Sequence, residues 1–295
     1  MSKKIDLMII GAQKAGTTSL KNYLSEHPEV ISHPQIEFSF FNDDAEYALG
    51  YSKIFNRYFS QNQLNPNCRI VAKNVGICTS ELAIKRLQAH NPACQLVFIL
   101  RNPVERAYSS YTMEVSNGWF KRDFAEVKSV IKNKVYDDVM YKILIELGLY
   151  ARQLEMLYKY FPANQVKLYR FEDIKTNSSE ICKDLFQLLQ VNTDFAPNIT
   201  KVHNKTRQVR SSVMAGITMK LRSNDSFLKK SFKKIFSPRI FTSISYSLLD
   251  FNKSDKVFSG LDKDLKAFLI QFYKPHNYKL QQMLGPEFDI SDWNK

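Results

Sequence analysis

Residues 9–20 read IIGAQKAGTTSL, and their reading decides the fold. The apolar run from Ile5 to Ile10 predicts a buried strand. It stops at Gly11, turns through a loop containing Lys14 and Gly16, and enters a helix at Thr17–Thr18. A strand, a glycine loop and a helix in that order aim backbone N–H groups and the positive end of a helix at one point. Such a point suits a phosphate or a similar anion.

The loop departs from the triphosphate-binding pattern G-x-x-x-x-G-K-[ST] where chemistry is most sensitive. Thr17 fills the lysine slot, and the loop's only lysine, Lys14, stands three residues earlier. This argues against an ordinary ATPase or kinase and for an anionic donor held differently. Further along, Gln95–Leu100 is a continuous strand broken at Asn102-Pro103, with Pro103 placed to start a helix. Strands are also expected at Arg69–Lys73 and Val166–Phe171. Helices are expected over 17–26, 44–59, 80–90, 136–147, 149–160 and 178–190, with Pro28 and Pro34 bracketing a loop. Strand–helix alternation with apolar strands implies an α/β fold: a P-loop NTPase-like, mostly parallel sheet flanked by helices, with a helical C-terminal elaboration. Residues 1–295 are expected to form a single domain. The loops at 11–16, 73–79 and 101–109 then fall at the carboxyl ends of strands, where open α/β sheets bind ligands.

Composition narrows the setting. No stretch approaches the roughly 18–20 apolar residues of a membrane span, and the first apolar run lacks the features of an export signal. Cys68, Cys78, Cys94 and Cys182 have no metal or redox spacing, which suits reduced thiols and a cytoplasmic location. His27, His33, His90, His203 and His276 are scattered, so no metal site is expected. The net charge of +13 is concentrated between Lys201 and Ile240, where Asp225 is the lone acidic residue. Such a field favours an anionic partner, whether nucleic acid, acidic glycan or lipid surface; a solvated face is the alternative. No helix-turn-helix, RNA-recognition or zinc-finger signature accompanies it, so specific nucleic-acid binding is not expected. The segment from Phe227 to Phe236, FLKKSFKKIF, would suit peripheral contact with an anionic membrane, or would cover the core with its phenylalanines.

GAQKAGTTSL, followed by ILRNPVERAYSSY at 99–111, resembles the paired signatures of PAPS-dependent sulfotransferases. The nearer likeness is to the carbohydrate branch, including heparan sulfate sulfotransferase domains and their bacterial relatives. His27-Pro28, Glu37 ahead of Phe40–Phe41, Lys73 at a strand end, FEDI at 171–174, HNKTRQVRS at 203–211, FYKPHN at 272–277 and Trp293 agree with it. The resemblance covers nearly the whole chain except 212–255, a variable basic segment.

The resemblance implies transfer of a sulfuryl group from PAPS to a hydroxyl, or an amine, of a carbohydrate, glycolipid or lipid-linked saccharide, with PAP as product. A sulfotransferase acting on a non-carbohydrate small molecule, and a P-loop kinase, are the alternatives. PAPS has anionic groups at both ends, so two cradles are needed. Ala15, Gly16, Thr17, Thr18 and Ser19 are the candidates for the 5′ end. By resemblance Arg101 and Ser109 hold the 3′-phosphate, where arginine's planar fork suits bidentate contact, and Arg207 and Arg210 belong to a basic loop closing over the nucleotide. Arg106 recurs in the family pattern, but spacing leaves open whether it packs or binds. Lys14 is the candidate to stabilise charge on the leaving oxygen. Glu37 matches the catalytic glutamate of the heparan branch and would accept the acceptor's proton, with His33 as the rival base. Ser39 stands where some heparan enzymes have histidine. Lys73 matches a lysine near donor and acceptor, though this chain reads AKNVG at 72–76 where many relatives have EKTP.

Overall fold

The computed structural model describes residues 2–59, 64–199, 258 and 260–295. Five parallel strands form one sheet: β1 (Leu7–Gly11), β2 (Val30–Ser32), β3 (Arg69–Lys73), β4 (Gln95–Leu100) and β5 (Val166–Arg170), in the order β2-β3-β1-β4-β5. The register is continuous across the middle, with Leu7 opposite Val71 on one side and Gln95 on the other. Every residue of β1 is buried, as is every residue of β4 after Gln95. A central parallel strand has helices over both faces, so it takes an unbroken apolar run rather than an alternating one. β5 lies at an edge, and four of its five residues are part-exposed.

The chain winds outward from β1 in two directions. The first crossover leads through α1 (Thr17–Leu24) to the edge strand β2 and back to β3; later strands add on the other side of β1. That reversal makes the carboxyl end of β1 the switch point of the sheet, the place where loops part and leave a crevice. The helices α2 (Asp44–Ala48), α3 (Tyr51–Tyr58), α4 (Glu81–His90), α5 (Pro103–Ser116), α6 (Glu126–Lys132), α7 (Tyr150–Tyr158), α8 (Phe171–Thr176) and α9 (Ser178–Leu189) follow in chain order, with a C-terminal helix at Lys263–Leu284.

Local chemistry sets the boundaries. Ser80 caps α4 by accepting from the Ala83 N–H at 3.2 Å, and Asp43 caps α2 through Glu46 at 3.0 Å. Asn102 accepts from Val104 at 3.0 Å, which together with Pro103 explains the sharp start of α5. The helix expected over 44–59 is two helices, because Gly50 at φ 83 breaks the run. β2, within the stretch expected to be loop, is only three residues long. Residues expected to form a helix at 136–147 form a π-turn at Tyr141–Ile145 and a 3-10 turn at Glu146–Gly148.

The chain divides into two compact units: Met1–Arg106 with Leu147–His203 and Phe272–Lys295, and Ala107–Glu146 with Asn204–Gln271. The first holds the whole sheet. In the second, Phe124 packs with Tyr108 and Tyr111, and Arg122 pairs with Asp138 at 2.8 Å and Glu126 at 2.9 Å. Among the described residues, no helix is long and apolar enough to cross a membrane.

Candidate active site

At the switch point, the loop from Ala12 to Gly16 is bound down at both ends. The Ala12 N–H donates to Ile99 of β4 at 2.8 Å, and the Leu20 N–H donates to Gly16 at 3.1 Å. Lys14 and Gly16 both take left-handed backbone angles, φ 70 and φ 80. Gly16 is required for a second reason. A Cβ there would lie 3.2 Å from Phe171 and Ile174, both of α8. Gly16 is also the N-cap of α1, and no side chain caps this helix end. Glycine offers no capping side chain of its own, and the helix dipole adds positive potential at this end. A donor's anionic end fits that setting.

Arg101, the residue after β4, closes the loop. Its Nη1 donates to the Lys14 carbonyl at 2.8 Å, its Nη2 lies 3.5 Å from Glu105, and its guanidinium stacks 4.4 Å over the Phe171 ring. Burial draws its pKa below the ordinary arginine value, with Glu105 opposing. The Tyr150 hydroxyl donates to the Arg101 carbonyl at 2.9 Å, and Trp293 packs on the Tyr150 ring with centroids 6.0 Å apart. Arg170, just before Phe171, donates to the Asp289 carbonyl at 2.8 Å and pairs with Asp292 at 2.7 Å. FEDI and the terminal tryptophan thus belong to the framework under the loop.

A second cluster sits on the neighbouring strand end. Lys73 Nζ donates to Glu37 Oε1 at 2.5 Å and to the Ile36 carbonyl at 3.1 Å. The Val75 N–H donates to Glu37 Oε2 at 3.1 Å. Both carboxylate oxygens are thus held while the side chain stays 30% exposed, so Glu37 is fixed yet reachable. Burial lowers the Lys73 pKa, and the Glu37 charge opposes that fall. Asn74 donates to the Phe38 carbonyl at 3.0 Å and accepts from Gly76 at 2.9 Å. The sequence AKNVG therefore builds a turn that wraps the Glu37 segment.

His33 is used differently from Glu37. It is 1% exposed, and its Nε2 accepts the Lys73 backbone N–H at 3.0 Å. Burial, with Lys21 adding to it, drives the imidazole pKa down to about 3. A neutral ring whose Nε2 lone pair is already taken serves as a strut. Lys21 and Tyr150 are not singled out by their residue types, and Val75 contributes only a main-chain N–H. Each meets a partner that only the fold brings to it.

The remaining candidates separate. Arg106 is fully buried, and its charge is felt by Cys78 and Tyr150, which assigns it to the interior rather than to a ligand. Ser109 lies further along α5, in the second unit, part-exposed. Thr17 is buried, whereas Thr18 and Ser19 are part-exposed. Arg207 and Arg210 lie outside the described residues, as do the basic run at 201–240 and the segment 212–255. Among the described residues, no group of three or more His, Cys, Asp or Glu side chains could hold a metal ion.

The family profile described as "Sulfotransferase domain" matches residues 4–244, most of the chain. The chain belongs to the PAPS-dependent sulfotransferase family. Among its relatives is the mouse bifunctional heparan sulfate N-deacetylase/N-sulfotransferase 3, 24% identical over 288 residues, covering 94% of this chain and 29% of the relative. Mouse heparan sulfate glucosamine 3-O-sulfotransferase 5 is 30% identical over 163 residues, covering 54% of this chain and 45% of the relative. The sulfotransferase chain thus spans less than half the length of either. A crystal structure of a sulfotransferase from Alicyclobacillus acidocaldarius shares the fold, with a TM-score of 0.69, 20% identity and full coverage of both chains.

Proposed function

We propose that the protein transfers a sulfuryl group from PAPS to a hydroxyl of a carbohydrate or glycolipid acceptor, releasing PAP. The observation that carries this reading is Glu37, locked by Lys73 and the Val75 N–H on the strand beside the donor loop. The two heparan sulfate relatives support the acceptor class.

In this reading the loop Ala15–Ser19 takes the 5′ end of the donor. Arg101 takes the 3′-phosphate, joined by Ser109, Arg207 and Arg210 as the family pattern implies. The acceptor oxygen forms its bond to sulfur as the bond from sulfur to the bridging oxygen breaks, in line. The hydroxyl proton passes to the Glu37 carboxylate. The departing oxygen keeps the electron pair as part of PAP, and Lys14 stabilises its growing negative charge. Lys73 holds Glu37 and supplies positive charge nearby. The donor's charges are met by lysine, arginine and backbone dipoles, so turnover is expected without added metal. The reading also includes a cytoplasmic location, with peripheral contact to an anionic membrane through the basic segment near 227–236.

The test is incubation with labelled PAPS and a panel of oligosaccharides and glycolipids, followed by mass analysis for an added sulfo group. A sulfated hydroxyl supports the reading. A sulfated amine would correct the acceptor atom, and sulfation confined to non-sugar phenols or alcohols would overturn the acceptor class. Tight PAP binding in chelator, with ATP binding far weaker, separates this function from a kinase.

A further inference from the structure

Lys21 stands in the last turn of α1, the helix whose first turn follows the proposed donor loop. It is 4% exposed, an unusual place for a lysine. Its Nζ donates to the His33 carbonyl at 2.7 Å and the Gln35 carbonyl at 3.2 Å. These two carbonyls belong to the segment that delivers Glu37. The same segment is pinned from the other side, where His33 Nε2 receives the Lys73 N–H. Phe38, just past Glu37, donates its N–H to the Lys73 carbonyl at 2.7 Å.

We infer that Lys21 is a positioning residue, holding the 33–37 segment in fixed register with α1 so that Glu37 meets the acceptor beside the bound donor. The inference rests on the reading of Glu37 as the base. One helix then aligns both halves of the reaction: its N-terminus receives the donor, and its C-terminal turn grips the carrier of the base. Packing alone would not call for lysine at this place. Burial, followed by the charge of Lys73, pulls the Lys21 ammonium down to about 8, with Glu37 opposing, so an apolar side chain would sit there with less desolvation cost. What a lysine adds is two directed hydrogen bonds to main-chain oxygens that otherwise have to be met some other way.

The experiment compares Lys21→Met and Lys21→Gln with Glu37→Gln in the full chain, using labelled PAPS and an accepted oligosaccharide. Lys21→Met is expected to lower kcat by about tenfold to a hundredfold, because a small misplacement of a catalytic group costs that much. PAP affinity should stay within about twofold, because the donor loop itself is untouched. Hydrogen exchange at the Lys73 and Val75 amides should quicken by about tenfold or more as the wrapped segment loosens. Lys21→Gln, which keeps a donor, should fall between Lys21→Met and the parent. A folded Lys21→Met protein with kcat within about twofold of the parent overturns the inference, as does a Lys21→Gln protein no better than Lys21→Met. So does the failure of both to fold, which would assign Lys21 to stability alone. Glu37→Gln keeps the two readings apart: if it retains turnover, the base assignment fails, whereas an inactive Glu37→Gln beside an unaffected Lys21→Met refutes the positioning role only.

Discussion

Replacing Gly16 by alanine tests whether the donor loop is held from beneath by α8. Two separate penalties meet at this position. The backbone is left-handed at φ 80, which costs a residue with a Cβ about 1–2 kcal/mol. The new Cβ would also lie 3.2 Å from Ile174 Cγ2 and from the edge of the Phe171 ring, a crowding worth about 1–3 kcal/mol when neighbours must shift. Gly285 supplies the control. It follows the C-terminal helix at φ 75, and nothing lies within 4 Å of its would-be Cβ. Gly285→Ala therefore carries the backbone penalty without the crowding. Thermal unfolding should place Gly16→Ala below Gly285→Ala by roughly 2–6 °C, taking about 2 °C per kcal/mol for a chain of this size. Calorimetric titration should show PAP binding weakened in Gly16→Ala and unchanged in Gly285→Ala. If the two variants melt together and bind PAP equally, the contact between the loop and Phe171–Ile174 does not shape the site.

Three further outcomes are expected. Lys14→Ala should lower turnover by about a hundredfold to a thousandfold while leaving PAP affinity nearly intact, since its proposed work is on the leaving oxygen; near-normal turnover contradicts the role. Arg101→Ala should weaken PAP binding by about tenfold to a hundredfold, the worth of a charged hydrogen bond, and an unchanged affinity refutes the 3′-phosphate assignment. Acid should unfold the protein partly through His33 and His90, whose pKa values fall to about 3 and about 4 on burial. The unfolded chain takes up protons these rings refuse, so their stabilisation is full above about pH 6.5 and is lost as pH falls, by roughly 1.4 kcal/mol per unit for each ring. Urea unfolding between pH 7 and pH 4.5 should be less steeply pH-dependent in His33→Gln than in the parent. Equal slopes would show that the buried ring is not what titrates.

The strands and turns around the site were legible because they are written in residue type. Ile5–Ile10 and Gln95–Leu100 are apolar runs ended by a glycine loop or an Asn-Pro pair, and β1, β3, β4 and β5 formed where such runs were read. Lys73 and Glu37 were found as a matched lysine and glutamate, and the fold joins them at 2.5 Å. Other parts were closed to sequence reasoning for physical reasons. β2 is three residues long, too short for a pattern, and the break at Gly50 needs a backbone angle rather than a composition. Val75 contributes a main-chain N–H, which any residue except proline could supply. Lys21 reads as one more surface lysine until the fold places the carbonyls of residues 33 and 35 around it. The burial of His33 is not written in a single histidine.

The tilted packing of Trp293 against Tyr150, and the hold of Arg170 on Asp289 and Asp292, have a practical consequence. Tyr150 steadies the main chain of Arg101, and Arg170 immediately precedes the ring on which Gly16 rests. Residues 289–293 therefore buttress the loop at 12–16, although the two lie far apart in sequence. A substitution at Asp292 or Trp293 would therefore be felt at that loop before it disturbed the sheet.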